Sequence, residues 1–347
     1  MSQITVLGAG AWGTALALSL SRRPEHTITL WSHSPLHGAQ LQADRENRKY
    51  LPGYPLPPSI HLTSDLPRAA AAADILLTVV PSEHTRALLL QLAPLLRPGQ
   101  TIVSATKGIE DTTHLRMSEV IAEVITGARA STQAHSLSSP NLDIPIGVLS
   151  GPSFAQEVAA GQPAAVTIAF PTMDDAARIQ AAFTTPALRL YRNDDIIGVE
   201  LGGALKNVIA IAAGAVTGSG LGHNATAALI TRGIAETTRL ALACGGRRET
   251  LSGLSGIGDL VLTCTGALSR NRQVGLDLGR GRPLPEILAS LGGKVAEGVR
   301  TTTAALGLAA THHVDMPITT QVAAVLAGAK SPTEAMQDLM SRTTRDE

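Results

Sequence analysis

Six residues constrain this chain more than any others. Gly8-Ala9-Gly10-Ala11-Trp12-Gly13 stands between a short apolar run, Ile4 to Leu7, and an Ala/Leu-rich stretch that continues to about Ser21. The run reads as a buried strand and the stretch as a helix. A Gly-x-Gly-x-x-Gly between them predicts a tight turn in which backbone can approach a pyrophosphate, while the helix N-terminus favours an anion. The pattern alone is weak, since glycines cluster in many turns, and a tight turn with no ligand remains the competing reading. Its placement between strand and helix is what favours a dinucleotide.

Thr27 to Trp31 reads as a second strand, so the first thirty residues form one βαβ unit. Asp74 to Val80, ended by Pro81, and Thr101 to Ser104 are further strands, with a helix over about 83–96 between them. Residues 127–145, Ser-rich with Pro140 and Pro145, read as a polar surface loop. Ile146 to Leu149, Ala164 to Ala169 and Ala187 to Tyr191 are the remaining strand candidates. From Asp194 onward, with Asn193 or Asp194 as the N-cap, the pattern is helical. At roughly 150 residues per domain, 347 residues make two lobes the better expectation. The fold class is therefore an α/β Rossmann-like N-terminal domain with a mostly parallel sheet, 1–191, followed by an all-α C-terminal domain, 192–347. The aromatics agree with that division: Trp12, Trp31, Tyr50, Tyr54, Phe154, Phe170, Phe183 and Tyr191 all lie in the first part. The second must pack on aliphatic side chains, which suits closely approaching helices.

Composition excludes several functions. Lys plus Arg equals Asp plus Glu, 28 each, so no overall field attracts nucleic acid or an anionic membrane. The few aromatics give no base-stacking platform. Two cysteines, Cys244 and Cys264, make neither a disulfide framework nor a metal pair, which fits a reducing compartment. No cleavable signal pattern precedes the first strand, and the uncharged apolar stretch Val208 to Val216 is too short for a bilayer, so a cytoplasmic protein is expected. No histidine shows ligand spacing: His33 and His37 have Pro35 between them without a helical pattern, and no metal is expected.

Several residues carry candidate chemistry. The second strand ends in Trp31-Ser32-His33-Ser34 with no carboxylate to repel a 2′-phosphate, so NADP(H) is allowed; His33 either faces that phosphate or is an exposed loop residue. Lys206, in an apolar stretch with Gly and Ala on adjoining turns, either snorkels to solvent or lies in a dry cleft where its pKa falls. Ser269-Arg270-Asn271, in a polar run that opens at Thr263, suits a phosphorylated ligand, and equally an N-capped helix start with a solvated arginine. Lys107 and the Gly151-Pro152-Ser153 turn each follow a strand at the carboxyl edge of the sheet, where α/β proteins bind ligands.

Taken together these segments resemble the bacterial NAD(P)-dependent glycerol-3-phosphate dehydrogenases. The likeness is carried by Gly8 to Ala17, Tyr50-Leu51-Pro52-Gly53, Val79-Val80-Pro81-Ser82, Thr106-Lys107-Gly108 and Ser150 to Ala155. It continues through Ile197 to Gly214, Asn224 to Glu236, Gly253 to Asn271, Ala296-Glu297-Gly298 and Met316-Pro317-Ile318-Thr319. The resemblance implies reduction of dihydroxyacetone phosphate to sn-glycerol 3-phosphate with NAD or NADP, feeding glycerophospholipid synthesis. It implies Lys206 as general acid/base, and Lys107, Gly151, Ser153, Lys206, Asp259, Ser269, Arg270 and Asn271 as substrate contacts. Beside the fingerprint glycines Gly8, Gly10 and Gly13, it places Ala11, Trp12, His33, Lys107, Ala155, Arg270, Val295 and Glu297 at the cofactor. The family pattern often has Arg near His33 and a shorter connector at 127–145. Other dehydrogenases of this architecture, of the 3-hydroxyacyl-CoA or 6-phosphogluconate type, and a non-enzymatic NADP(H) sensor are the alternatives. The acyl-CoA type calls for a His-Glu pair in the helical lobe, and none is evident; the sensor needs neither Lys206 nor Ser269-Arg270-Asn271. The partner is a small molecule, and a homodimer remains open.

Overall fold

The structure, a computed structural model, describes residues 2–133, 144–292 and 295–343, with backbone alone over 129–133. Two compact units emerge: residues 1–106 with 116–196, and residues 107–115 with 197–347.

The described residues of the first unit hold ten strands: β1 Gln3–Leu7, β2 Thr27–Trp31, β3 Glu46–Asn47, β4 Leu51–Pro55, β5 Ile60–Thr63, β6 Ile75–Thr78, β7 Thr101–Ser104, β8 Ile146–Ser150, β9 Ala164–Ala169 and β10 Leu188–Asn193. Eight form one sheet in the order β10-β9-β8-β7-β6-β1-β2-β5, and β3 and β4 make a separate pair. Within the sheet only β8 and β9 run antiparallel. The central strands β6 and β7 are buried at every residue, as expected of strands covered on both faces. The chain leaves β1 for β2 on one side and returns to β6 on the other. The turns after β1 and β6 therefore lie together at the carboxyl edge where strand order reverses.

The strands of the sequence reading are present, with informative differences. The run Asp74 to Val80 shortens to β6 because the chain turns at Val79, ahead of Pro81, which caps helix Ser82–Leu92. The supposed loop 127–145 begins as helix: Met117–Gln133 continues through 127–133, since propagation costs little once a helix is nucleated. The rest of that loop, 134–143, lies outside the described residues. Pro35 does not prevent a helix after β2 but opens one, Pro35–Asp44, because proline at the first helical position has no N–H to waste; Ser34 caps it through the His37 N–H. At the domain junction Asn193 Oδ1 accepts the Asp195 N–H at 2.8 Å, one residue before helix Ile196–Gly218.

Residues 197–343 fold as helices joined by turns, with no β-strand among the described residues. Helix Ile196–Gly218 is long and apolar enough for a membrane span, yet 83% of its apolar window is buried inside the protein, which marks a core helix. Glycines let it touch helix Arg270–Gly279 backbone to backbone. A Cβ at Gly214 would lie 2.0 Å from the Arg272 carbonyl oxygen, and one at Gly275 would lie 1.9 Å from that of Ile211. Glu236, on helix His223–Ala243, accepts the Ile318 and Thr319 N–H groups at 2.8 and 2.9 Å, capping helix Pro317–Leu326. Segment 107–115 belongs to this unit because Ile109 is buried among Leu201, Ala204, Leu205 and Ala305. A single cut in the sequence cannot express that insertion.

Candidate active site

In the first unit the three fingerprint glycines have separate physical reasons. Gly8 has φ +127°, and a Cβ there would lie 2.6 Å from the Val79 carbonyl oxygen; at Gly13 it would lie 1.9 Å from that of Gly8. Neither position admits a side chain. A Cβ at Gly10 would meet nothing within 4 Å, so that side of its backbone faces open space. The helix that follows, Ala11–Leu20, has no side-chain cap and no acid in its first turn. An open backbone at an uncapped helix N-terminus fits a pyrophosphate, which satisfies the amides and the helix dipole together. Trp12 Nε1 is buried without a hydrogen-bond partner among the described residues. Beyond β2, His33 is exposed with its ring edge toward Trp31, and helix Pro35–Asp44 carries no acid in its first turn. Neither the end of β2 nor that first turn carries a carboxylate to repel a 2′-phosphate. Along the same edge, Thr106 Oγ1 donates to the Val80 carbonyl at 2.8 Å and Ser153 Oγ to that of Gly151 at 2.9 Å. Gly151, at φ +142°, passes so close to β9 that a Cβ would lie 2.9 Å from Val166 Cα.

The helical unit holds a cluster of charge in a dry setting. Lys206, 8% exposed, does not snorkel: its Nζ donates to Asp259 Oδ1 at 2.5 Å and to Thr263 Oγ1 at 2.9 Å. Lys107 Nζ donates to the other carboxylate oxygen at 2.8 Å. Asp259 is fully buried, and its one carboxylate pairs with two amines, Lys206 buried and Lys107 partly exposed. Burial pulls the Lys206 amine down to about 8, with Lys107 adding to the fall and Asp259 opposing it. An amine with that pKa exchanges protons near neutrality. Cys264, one residue from Thr263, is inert by comparison: burial pushes its thiol up to about 12.

Beside this cluster, Ser269 caps helix Arg270–Gly279 by accepting the Arg272 N–H, which leaves Arg270 exposed in the first turn. A cation there gains nothing from the helix dipole and adds to the pull on an anion. Asn271 is buried, its Nδ2 donating to Asn207 Oδ1 at 2.9 Å and its Oδ1 accepting the Gly298 N–H at 3.0 Å. Glu297 opens helix Glu297–Thr311, and lost hydration pushes its carboxyl up to about 7 against the pull of Arg270, Lys107 and Lys206. Val295 lies two residues before it, half-buried. Among the described residues no group of three or more His, Cys, Asp or Glu could hold a metal ion.

Comparison with known proteins finds likeness along nearly the whole chain. The N-terminal pattern of NAD-dependent glycerol-3-phosphate dehydrogenases matches residues 3–176, and their C-terminal pattern matches 195–337. The chain belongs to the glycerol-3-phosphate dehydrogenase family. A relative from Acidobacterium capsulatum, named glycerol-3-phosphate dehydrogenase [NAD(P)+], is 59% identical over the full length of both chains. One of the same name from Koribacter versatilis is 52% identical over 100% of this chain and 99% of its own. The crystal structure of glycerol-3-phosphate dehydrogenase from Coxiella burnetii superposes with a TM-score of 0.90 at 39% identity, covering 98% of this chain and 99% of that one.

Of the positions singled out by likeness to glycerol-3-phosphate dehydrogenases, the structure gathers Lys107, Lys206 and Asp259 into one hydrogen-bonded group. Ser269, Arg270, Asn271, Val295 and Glu297 lie in the same unit; Gly8, Gly10, Ala11, Trp12, Gly13, His33, Gly151, Ser153 and Ala155 lie in the other. Two polar groups carry no role in the sequence reading. Thr263 sits four residues after Asp259 on one helix, a spacing that puts both on the face met by Lys206 and that the sequence offers. Asn207 follows Lys206 around the helix, and only the fold shows that it meets Asn271.

Proposed function

We propose that this chain reduces dihydroxyacetone phosphate to sn-glycerol 3-phosphate, reversibly, with Lys206 as the general acid. NAD(P)H, when bound, supplies the hydride that reaches C2 of the ketone. As charge grows on the ketone oxygen, the Lys206 ammonium gives up a proton to it, and in the reverse direction the free amine takes the proton back. Asp259 holds the amine and, through Lys107, keeps a second cation near the developing oxyanion. Arg270 and Asn271 grip the phosphate, and that remote binding energy fixes the carbonyl for reaction. The observation that carries this reading is the buried Lys206 amine paired to Asp259. It is supported by family membership, and the family is NAD(P)-dependent.

The missing carboxylate after β2 supports NADP(H) as well as NAD(H). We further infer action in the cytoplasm, supplying glycerophospholipid synthesis. The test is absorbance at 340 nm with dihydroxyacetone phosphate and each reduced cofactor in turn; no oxidation of either would refute the reading. In the same assay Arg270→Ala should cost about 2–5 kcal/mol in kcat/KM for the phosphorylated ketone, as expected on truncating one partner of a charge pair. Unphosphorylated dihydroxyacetone, already a poor substrate, should be little affected. Equal losses on the two ketones would remove Arg270 from the phosphate.

A further inference from the structure

One motif of the sequence, Tyr50-Leu51-Pro52-Gly53, has no part in the chemistry above, yet it adjoins a buried polar strut. Asn47, in β3, is fully buried and every polar atom of its side chain is engaged. Nδ2 donates to the Ala9 carbonyl at 2.9 Å and to Thr14 Oγ1 at 2.7 Å. Oδ1 accepts the Tyr50 N–H at 3.2 Å and lies 3.2 Å from His37 Nε2. Since a carboxamide oxygen only accepts, Nε2 carries the imidazole proton, and Nδ1 lies 3.2 Å from Ser32 Oγ, whose one hydrogen it shares with the Ser34 carbonyl at 3.3 Å. The Tyr50 ring stands edge-on to His37 with centroids 5.3 Å apart, closing the strut from the side. One line of hydrogen bonds thus joins the turn after β2, at Ser32, to the glycine turn after β1, at Ala9.

The glycine turn needs such a brace. A Cβ at Gly10 would meet nothing within 4 Å, so no side chain packs against the turn on that side. A peptide there is free to present either its N–H or its carbonyl, and only the N–H attracts a phosphate. With its oxygen bonded to Asn47, the Ala9 carbonyl is kept from turning toward an anion. We propose that Asn47 is a positioning residue for the dinucleotide, holding the Ala9 peptide so that the turn offers donors to the pyrophosphate, with His37 fixing the orientation of the Asn47 carboxamide. This rests on the dinucleotide reading of that turn.

The test is a titration of the purified full-length protein with NADPH, followed by the fluorescence of the bound cofactor, alongside thermal melts. Asn47→Leu keeps the approximate shape, adds no charge and removes every hydrogen bond made by the Asn47 side chain. It should weaken NADPH by about tenfold or more, at least about 1.4 kcal/mol, while KM for dihydroxyacetone phosphate at saturating cofactor stays near the parental value. Thr14→Val should weaken NADPH in the same direction, and Thr14→Ser, which keeps the hydroxyl acceptor, should restore it. If Asn47→Leu does not fold, the Thr14 pair decides. A folded Asn47→Leu protein that binds NADPH like the parent would overturn the proposal, as would Thr14→Val and Thr14→Ser that bind alike. A parent that binds neither NADPH nor NADH overturns the dinucleotide reading itself and this proposal with it.

Discussion

The glycine turn of the first unit and the Lys206 cluster of the second are built by one physical device, close approach of backbone where Cβ atoms are missing, but the chain writes them differently. The turn occupies six consecutive residues, and two of its three glycines serve contacts within the turn or with the adjoining strand end. The Lys206 cluster is assembled from residues far apart in sequence: Asp259 lies 53 positions from Lys206 and 152 from Lys107. Glycine is again at work beside Lys206: one turn earlier on its helix a Cβ at Gly202 would lie 2.4 Å from the Ser255 carbonyl oxygen, so that helix closely approaches the segment leading into Asp259. A binding turn can therefore be read locally. A catalytic cluster of this kind depends on helix contacts that no short window contains.

The comparison breaks if the glycines of the two regions do not bear equal structural weight. Gly13→Ala and Gly275→Ala would each place a Cβ 1.9 Å from a carbonyl oxygen, so both should lose stability by about 1–3 kcal/mol. Thermal or urea unfolding of the two variants measures this, and a neutral Gly275→Ala would show that the helical unit does not depend on its glycine contacts as the turn does. A smaller effect, graded with pH, belongs to the helical unit alone. Lys206 must be protonated to serve ketone reduction, and its pKa is drawn down to about 8. The kcat for reduction should be level below that pH and fall toward tenfold per unit above it, while alcohol oxidation should fall below it instead. A reduction rate flat to pH 10 would remove Lys206 as the donor. The smallest effect on stability belongs to Gly10→Ala, whose Cβ would enter open space and whose unfolding should shift by no more than about 0.5 kcal/mol. Its affinity for NADPH should fall nonetheless, because the methyl group occupies room the pyrophosphate needs. Loss of stability without loss of affinity would reverse the roles assigned to Gly10 and Gly13.

The difference between the two regions also explains what could be read from the residues. The strands Thr27–Trp31, Thr101–Ser104 and Ala164–Ala169 were legible at their observed limits, because buried parallel strands are continuous apolar or β-branched runs. Helix Pro35–Asp44 and β5 were not, since one opens on a proline and the other is four residues at the sheet edge. Of the candidate site, Lys206 was visible as a charge in an apolar run, but spacing alone left it free to snorkel; its burial against Asp259 and Thr263 is a tertiary fact. Arg270 and Asn271 stood out as neighbours, yet the structure gives them different surroundings: Arg270 is exposed, and Asn271 is buried between Asn207 and Gly298. Asn47 gave no signal, because nothing in a stretch of polar residues marks the one that turns inward.

The central claim is that the Lys206 amine delivers the proton to the ketone oxygen, and steady-state reduction of dihydroxyacetone phosphate by Lys206→Ala at saturating NADPH tests it most directly. The account predicts a kcat lower by roughly 10²- to 10⁴-fold, about 3–5 kcal/mol of barrier, with NADPH affinity unchanged and part of the rate recovered by adding a small primary ammonium ion. A kcat close to that of the parent protein would contradict it.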